Sequence, residues 1–145
     1  MTALIKLTDR DGYTRRGLPG ETLWSPGFTL RASGEGNLCG PGFIHAYVDP
    51  LLAVLLNPIH ADIAGPIGWR CEGVVALTEH GLKVGCTELT TLEIITLPDV
   101  TVEQRIRFGI LCARAVCDDV AWLKWADNWL SGEDHAAAGA AAEAA

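Results

Sequence analysis

The sequence lacks an apolar run long enough to cross a membrane. Its longest candidate, Leu51 to Leu56, is far shorter than the roughly 18 to 20 residues that a spanning helix needs, and Asn57-Pro58 cuts it off. The N-terminal residues are too polar and their apolar stretch too short for a signal peptide. We therefore expect a cytoplasmic protein that does not bind membranes.

Paired cysteines are also lacking. The chain has five cysteines with no C-x-x-C spacing, at Cys39, Cys71, Cys86, Cys112 and Cys117. An odd number of cysteines without a secretion signal favours reduced thiols over disulfides. Structural zinc sites usually draw paired ligands two to four residues apart, whereas Cys112 and Cys117 would point about 140° apart on a helix. We therefore expect neither a metal nor a cofactor.

Positive charge is scarce and unevenly distributed. The net charge is −7, yet residues 1–31 carry five Lys/Arg against three Asp/Glu, and the remainder carries six against fifteen. An acidic body repels phosphate backbones, so we expect no nucleic-acid binding. A local anion site is available only in the N-terminal segment, which contains Arg10, Arg15, Arg16 and Arg31.

Periodicity and turn residues predict an α+β fold. Alternation over residues 3–8 indicates a strand, and further strands are predicted over 43–48, 69–78, 82–86 and 89–97, with an interrupted one over 21–30. Asp49-Pro50 is typical of a helix start, and Asn57-Pro58 should end that helix at about Leu56.

The C-terminal part predicts helices. Thr101 and Gln104 have capping-box spacing ahead of an amphipathic pattern, and Asp118-Asp119 should start a second helix that runs to Leu130. Trp122, Trp125 and Trp129 form one stripe, which favours a core; an exposed stripe would instead make a homodimer the simplest product. We predict a small, mostly antiparallel sheet with one short helix and a long C-terminal helix or helix pair packed on it. These elements form a single globular domain over 1–132, followed by an alanine-rich tail over 133–145.

Four segments carry a family resemblance: LCGPGFIHAY at 38–47, GLKVGCT at 81–87, TVEQRIRFG at 101–109 and WADNWLSG at 125–132. Together with Arg16-Gly17 and the alanine-rich end, they resemble an uncharacterised family of small phage and prophage proteins with a Gly-Phe-His strand. The resemblance covers most of residues 13–135. It implies a phage accessory protein in the host cytoplasm, not a housekeeping enzyme.

Two groups of residues suggest a ligand pocket. His45 shares a strand face with Phe43 and Tyr47, which suits a planar ligand; the alternative is a core histidine hydrogen-bonded to a backbone carbonyl. Arg15 and Arg16 suit a phosphate or a carboxylate; the alternative is a surface pair bound to nearby acidic residues.

The leading functional hypothesis is a binding module that captures a host protein or a small anionic, nucleotide-like ligand. The predicted ligand-binding residues are Arg15, Arg16, Trp24, His45, Tyr47 and Lys83. An alternative is an enzyme of ADP-ribosyltransferase type that uses NAD, with Glu88 or Glu93 as the carboxylate that stabilises ribosyl charge. A second alternative is a structural or protein-interaction protein.

Overall fold

The computed structural model describes residues 2–133. The chain divides into two compact units, residues 1–99 and 100–145, where the sequence predicts one domain over 1–132. Most of the predicted alanine-rich tail, from residue 134 onward, lies outside the described residues. Each unit is described by itself.

Antiparallel strands build the first unit. Its elements are β1 (Thr2–Thr8), β2 (Tyr13–Thr14), β3 (Thr22–Leu23), β4 (Thr29–Arg31), β5 (Ile44–Ala46), α1 (Pro50–His60), β6 (Ile67–Glu79) and β7 (Lys83–Ile95). The main sheet has the order β1-β6-β7-β4, β5 also pairs with β7, and β2 with β3 forms a separate hairpin. All these pairings are antiparallel, which confirms the predicted α+β class.

The longest strands, β6 and β7, form one hairpin that turns at His80-Gly81, where both residues have positive φ. The prediction of two strands over 82–86 and 89–97 is wrong, because pairing on both edges of β7 carries the strand through residues 87 and 88. Three irregularities interrupt the β6–β7 register.

The free edge of β7 receives two short strands in succession. β5 pairs with residues 84–86 and β4 with residues 88–90, while residues 32–43 between them leave the sheet as a loop. A backbone hydrogen bond of 2.8 Å from Gly34 N to Gly42 O holds the base of this loop. The core between these strands contains Leu4, Ile44, Trp69, Val84 and Leu89.

Helix α1 begins as predicted, since the Asp49 carboxylate accepts hydrogen bonds from the backbone N–H groups of Leu51 and Leu52. Its predicted end at about residue 56 is wrong, because the helix continues through Pro58 to His60. The buried Asn57 side chain donates to the Ile63 carbonyl at 2.9 Å and accepts from the Ile63 N–H at 3.1 Å. These contacts with a later segment outweigh the local preference of the residue before proline.

The second unit contains α2 (Val102–Arg114) and α3 (Val120–Ser131). The capping box is confirmed by two reciprocal hydrogen bonds between Thr101 and Gln104, and Asp119 caps α3. Trp129 is buried with Ile110 and Ala126, and the other two tryptophans of the stripe pack against them. The stripe is therefore core within this unit. Packing of the helices on the sheet stays a prediction.

Candidate functional site

A cavity of about 890 Å³ lies in the first unit. Its lining comes from β1, the β2–β3 hairpin, β4 with the loop after it, β5, the start of β7, and the end of α1 with Ala61 and Ile63. Ligand pockets usually measure about 300–1,000 Å³, so the volume suits a small organic molecule.

The structure brings five of the six predicted ligand-binding residues to this cavity, namely Arg15, Trp24, His45, Tyr47 and Lys83. They come from the β2–β3 hairpin, from β5 and its C-terminal neighbour, and from the first residue of β7. Residues far apart in the sequence therefore meet at one site.

The sixth predicted residue, Arg16, does not line the cavity. Its guanidinium binds the carboxylates of Asp11 at 2.5 Å and Asp9 at 3.4 Å and lies 4.8 Å from the ring centre of Tyr13. The hydrogen bond to Asp11 raises the pKa of Arg16 above its ordinary value. Arg16 thus matches the alternative of a surface arginine paired with acidic neighbours.

Arg15 differs from its neighbour in both backbone and contacts. Its φ of 55° lies in the left-handed region, which an arginine seldom adopts. The side chain runs past Gly20 toward the cavity. Within residues 2–133, the guanidinium of Arg15 makes no hydrogen bond or ion pair, so its five N–H donors are available to a ligand.

His45 is partly buried, and its Nε2 hydrogen-bonds to the carbonyl of Leu38. The predicted alternative of a histidine bound to a backbone carbonyl is therefore confirmed, although the ring also lines the cavity. Burial lowers the pKa of His45 below 6.5. Because a carbonyl only accepts, Nε2 carries the proton of the neutral ring, and Nδ1 is left as an acceptor.

Two lysines line the cavity in different settings. Lys83 is only 7% exposed, and its Nζ lies 3.1 Å from Cys39 Sγ and 3.6 Å from a Glu79 carboxylate oxygen. Lys6, which the sequence did not mark as a site residue, donates from Nζ to the His45 carbonyl at 2.8 Å and lies 5.4 Å from the ring centre of Trp24. Burial lowers the pKa of Lys6 to about 8.

The strand pattern alone did not mark Lys6, since the alternate residues Ala3, Ile5 and Leu7 form the more apolar face of β1. Lys6 shares a face of β1 with Leu4 and Thr8, and these two neighbours are almost completely buried. The face that seemed polar is thus directed inward.

Tyr47 and His60 form a further pair at the cavity. The Tyr47 hydroxyl lies 3.2 Å from His60 Nδ1, and the two rings stack with centres 6.0 Å apart. Burial raises the pKa of Tyr47 to about 12, so the hydroxyl keeps its proton near pH 7. The tautomer of His60 determines which of the two atoms donates this bond. His60 was missed because the predicted helix stopped before it.

The two carboxylates of the enzyme hypothesis lie elsewhere. Glu88 binds Arg31 across β4 and β7 at 2.7 Å, and Glu93 binds Arg70 across β6 and β7 at 2.8 Å. Among the described residues, no aspartate or glutamate lines the cavity, whereas four basic side chains do, those of Lys6, Arg15, Arg31 and Lys83.

Over residues 2–133 there is no group of three or more His, Cys, Asp or Glu placed to hold a metal ion. The helices in this range are also too short or too polar to cross a membrane. Comparison of the chain with models of protein families, with curated proteins and with solved structures found no match.

Proposed function

We propose that this chain is a binding module that captures a small anionic, nucleotide-like ligand in the 890 Å³ cavity. One observation carries the proposal: in a chain of net charge −7, four basic side chains line one cavity that no acidic side chain of the described residues lines, and two of them, Lys6 and Arg15, form no ion pair within residues 2–133. Such a concentration of one sign attracts an anion of matching size.

Different residues of the lining would contact different parts of the ligand. Arg15 presents a free guanidinium fork, which matches the oxygens of a phosphate in a bidentate arrangement. Lys83 adds a second positive charge, while Trp24 and Tyr47 provide apolar walls that favour a planar ring. Neutral His45 offers Nδ1 as an acceptor for an N–H or O–H group of the ligand.

The resemblance to phage proteins implies a ligand from the host cytoplasm and an accessory role for the chain. A host protein as the captured partner is less well supported, because a concave cavity encloses a small molecule better than a protein surface. An ADP-ribosyltransferase activity is also less well supported. Glu88 and Glu93 are engaged with Arg31 and Arg70 in cross-strand ion pairs and do not line the cavity.

The test is a thermal-shift and calorimetric titration of the full chain with AMP, ADP-ribose, NAD and inorganic phosphate. A ligand at 100 times its Kd should add about 2.7 kcal/mol, which is a rise of several degrees in Tm. Arg15→Gln should weaken binding at least about tenfold, since it removes a charged hydrogen-bond donor. Arg10→Gln, which makes the same charge change at an exposed residue outside the cavity, should leave binding unchanged.

Two outcomes would contradict the proposal. One is a folded protein whose Tm does not move with any of these anions. The other is equal weakening by both substitutions, which would point to net charge and not to the cavity. Release of nicotinamide from bound NAD would instead support the enzyme hypothesis.

A further inference from the structure

Lys6 has a setting that neither of the other two lysines, Lys83 and Lys124, shares. It lies on the inward face of β1, its Nζ makes a single hydrogen bond to the His45 carbonyl, and the amine lines the cavity. Lys83 is held between a thiol and a carboxylate, and Lys124 is exposed on α3.

No carboxylate of the described residues forms an ion pair with Lys6. The ring of Trp24 lies beside Nζ, and the thiols of Cys71 on β6 and Cys86 on β7 are both completely buried. Burial raises the pKa of Cys71 to about 12 and that of Cys86 to about 11, so both are neutral thiols near pH 7. His45 is neutral near pH 7, because burial lowers its pKa, so the ring carries no charge beside the Lys6 amine.

A desolvated ammonium without a counterion loses its proton readily. With a pKa of about 8 in place of 10.5, about one Lys6 in ten is the free amine at pH 7, against roughly one in three thousand for an ordinary lysine. Buried lysines of this kind serve as nucleophiles that form Schiff bases.

We propose that Lys6 is a nucleophilic amine that forms a reversible Schiff base with a small phosphorylated aldehyde or ketone held in the cavity. The phosphate-binding part of this inference rests on the proposed function, with Arg15 and Lys83 facing the phosphate. The proposal that Lys6 is a nucleophile does not need the anion site; it rests on the position of the Lys6 amine in the cavity wall.

The reaction needs no redox partner. The lone pair of the neutral amine attacks the carbonyl carbon, and the carbonyl π electrons move to oxygen, which takes a proton to give a carbinolamine. The nitrogen gives up its protons to water, the hydroxyl leaves as water, and a C=N bond forms. Hydrolysis reverses the sequence, so occupancy depends on ligand concentration.

The probe is pyridoxal 5′-phosphate, a phosphorylated aromatic aldehyde, applied to the full chain at pH 7.5. Borohydride reduction fixes any imine as a stable amine, and peptide mass spectrometry locates it. We expect Lys6 to be modified at least about tenfold faster than exposed Lys124, and Lys6→Arg, which keeps the charge, to abolish the cavity adduct. Should Lys6→Arg fold poorly by circular dichroism, the distribution of label over the lysines of the parent protein decides the question.

Pyridoxal without the phosphate separates the two parts of the inference. Strong labelling of Lys6 by the phosphorylated probe alone supports both the amine and the anion site. Equal labelling of Lys6 by both probes supports the amine and contradicts the proposed anion site. Labelling that favours Lys124 or Lys83, in a protein that still binds AMP, overturns the inference and leaves the proposed function intact.

Discussion

Ile5 and Tyr47 exchange both of their backbone hydrogen bonds, each 2.8 Å long, and so join β1 to the chain that leaves β5. Since β1 also pairs with β6, and β7 pairs with both β6 and β5, the four strands form a closed ring. This closure places Lys6 beside His45, whose carbonyl it binds. The closure therefore brings cavity residues of β1 next to those of β5.

The hydroxyl of Tyr47 anchors this region to the end of α1 through His60 Nδ1. We predict that Tyr47→Phe lowers the free energy of unfolding by about 0.5–1.5 kcal/mol, because it removes one hydrogen bond and leaves the ring in place. Urea unfolding followed by circular dichroism measures the change. Tyr13→Phe is the matched control, since within the described residues the Tyr13 hydroxyl makes no hydrogen bond, and it should change stability by less than about 0.5 kcal/mol. If both variants lost the same free energy of unfolding, the Tyr47 hydroxyl would not anchor this region.

Acid should destabilise the protein through His45 and His60. Burial holds the pKa of each below 6.5, and the positive charges of Lys6 and Lys83 near His45 act in the same direction. Below pH 6.5 the unfolded chain therefore binds protons that the folded protein does not, so stability present at pH 7.5 is lost as the pH falls toward 5.5. Urea unfolding at both pH values checks the sign.

The histidine responsible can be identified by substitution. His45→Gln should lose less stability between pH 7.5 and 5.5 than the parent. His80→Gln, at the exposed β6–β7 turn outside the cavity, is the comparison variant that also removes one histidine. An unchanged pH dependence in His45→Gln would show that His45 does not contribute to it.

Asn57 should be important for the end of α1 and for the cavity wall that follows it. Asn57→Ala removes both hydrogen bonds to Ile63 and leaves its partly buried N–H and C=O groups without these partners. We expect the free energy of unfolding to fall by about 2–4 kcal/mol and ligand binding to weaken, because Ala61 and Ile63 line the cavity. Asn37→Ala on the exposed loop is the control and should lower the free energy of unfolding by less than about 0.5 kcal/mol. An unchanged stability in Asn57→Ala would mean that α1 continues past Pro58 without the help of the Asn57 side chain.

The sequence predicted strands and helices correctly where a pattern or a cap within the element itself determines its position. The alternation over residues 3–8 gave β1, and Thr101, Gln104 and Asp119 gave the starts of α2 and α3. The extension of α1 past Pro58 could not be predicted in this way, since it depends on Asn57 reaching a segment beyond the helix. The strand order and the pairing of Ile5 with Tyr47 join residues that are far apart in the sequence. No pattern among neighbouring residues predicts such pairings.

The same limit applies to the site. Arg15 and Arg16 are adjacent in the sequence, and residue type alone does not separate them. The left-handed backbone at Arg15 directs one side chain to the cavity while Arg16 binds Asp9 and Asp11. Lys6 was hidden because its burial follows from the closure of the sheet and not from its own neighbours.

The five cysteines should differ widely in reactivity. At pH 8, N-ethylmaleimide should modify exposed Cys39 and Cys112 first, while Cys71 and Cys86 react only in denaturant. Both of the latter are fully buried, and pKa values of about 12 and 11 leave well under about one thiolate in a hundred at this pH. Mass spectrometry of timed samples measures the order, and denatured protein should take up all five labels.

The thiol experiment also tests the setting of Lys6. A thiolate at Cys71 or Cys86 would give the Lys6 ammonium a counterion and would hold its proton, which removes the reason for a free amine at pH 7.5. Rapid modification of either buried cysteine in the folded protein would therefore contradict both the neutral core and the nucleophilic lysine. Protection of both, together with labelling of Lys6 by pyridoxal 5′-phosphate, would show that the amine is activated by burial without any ionic partner.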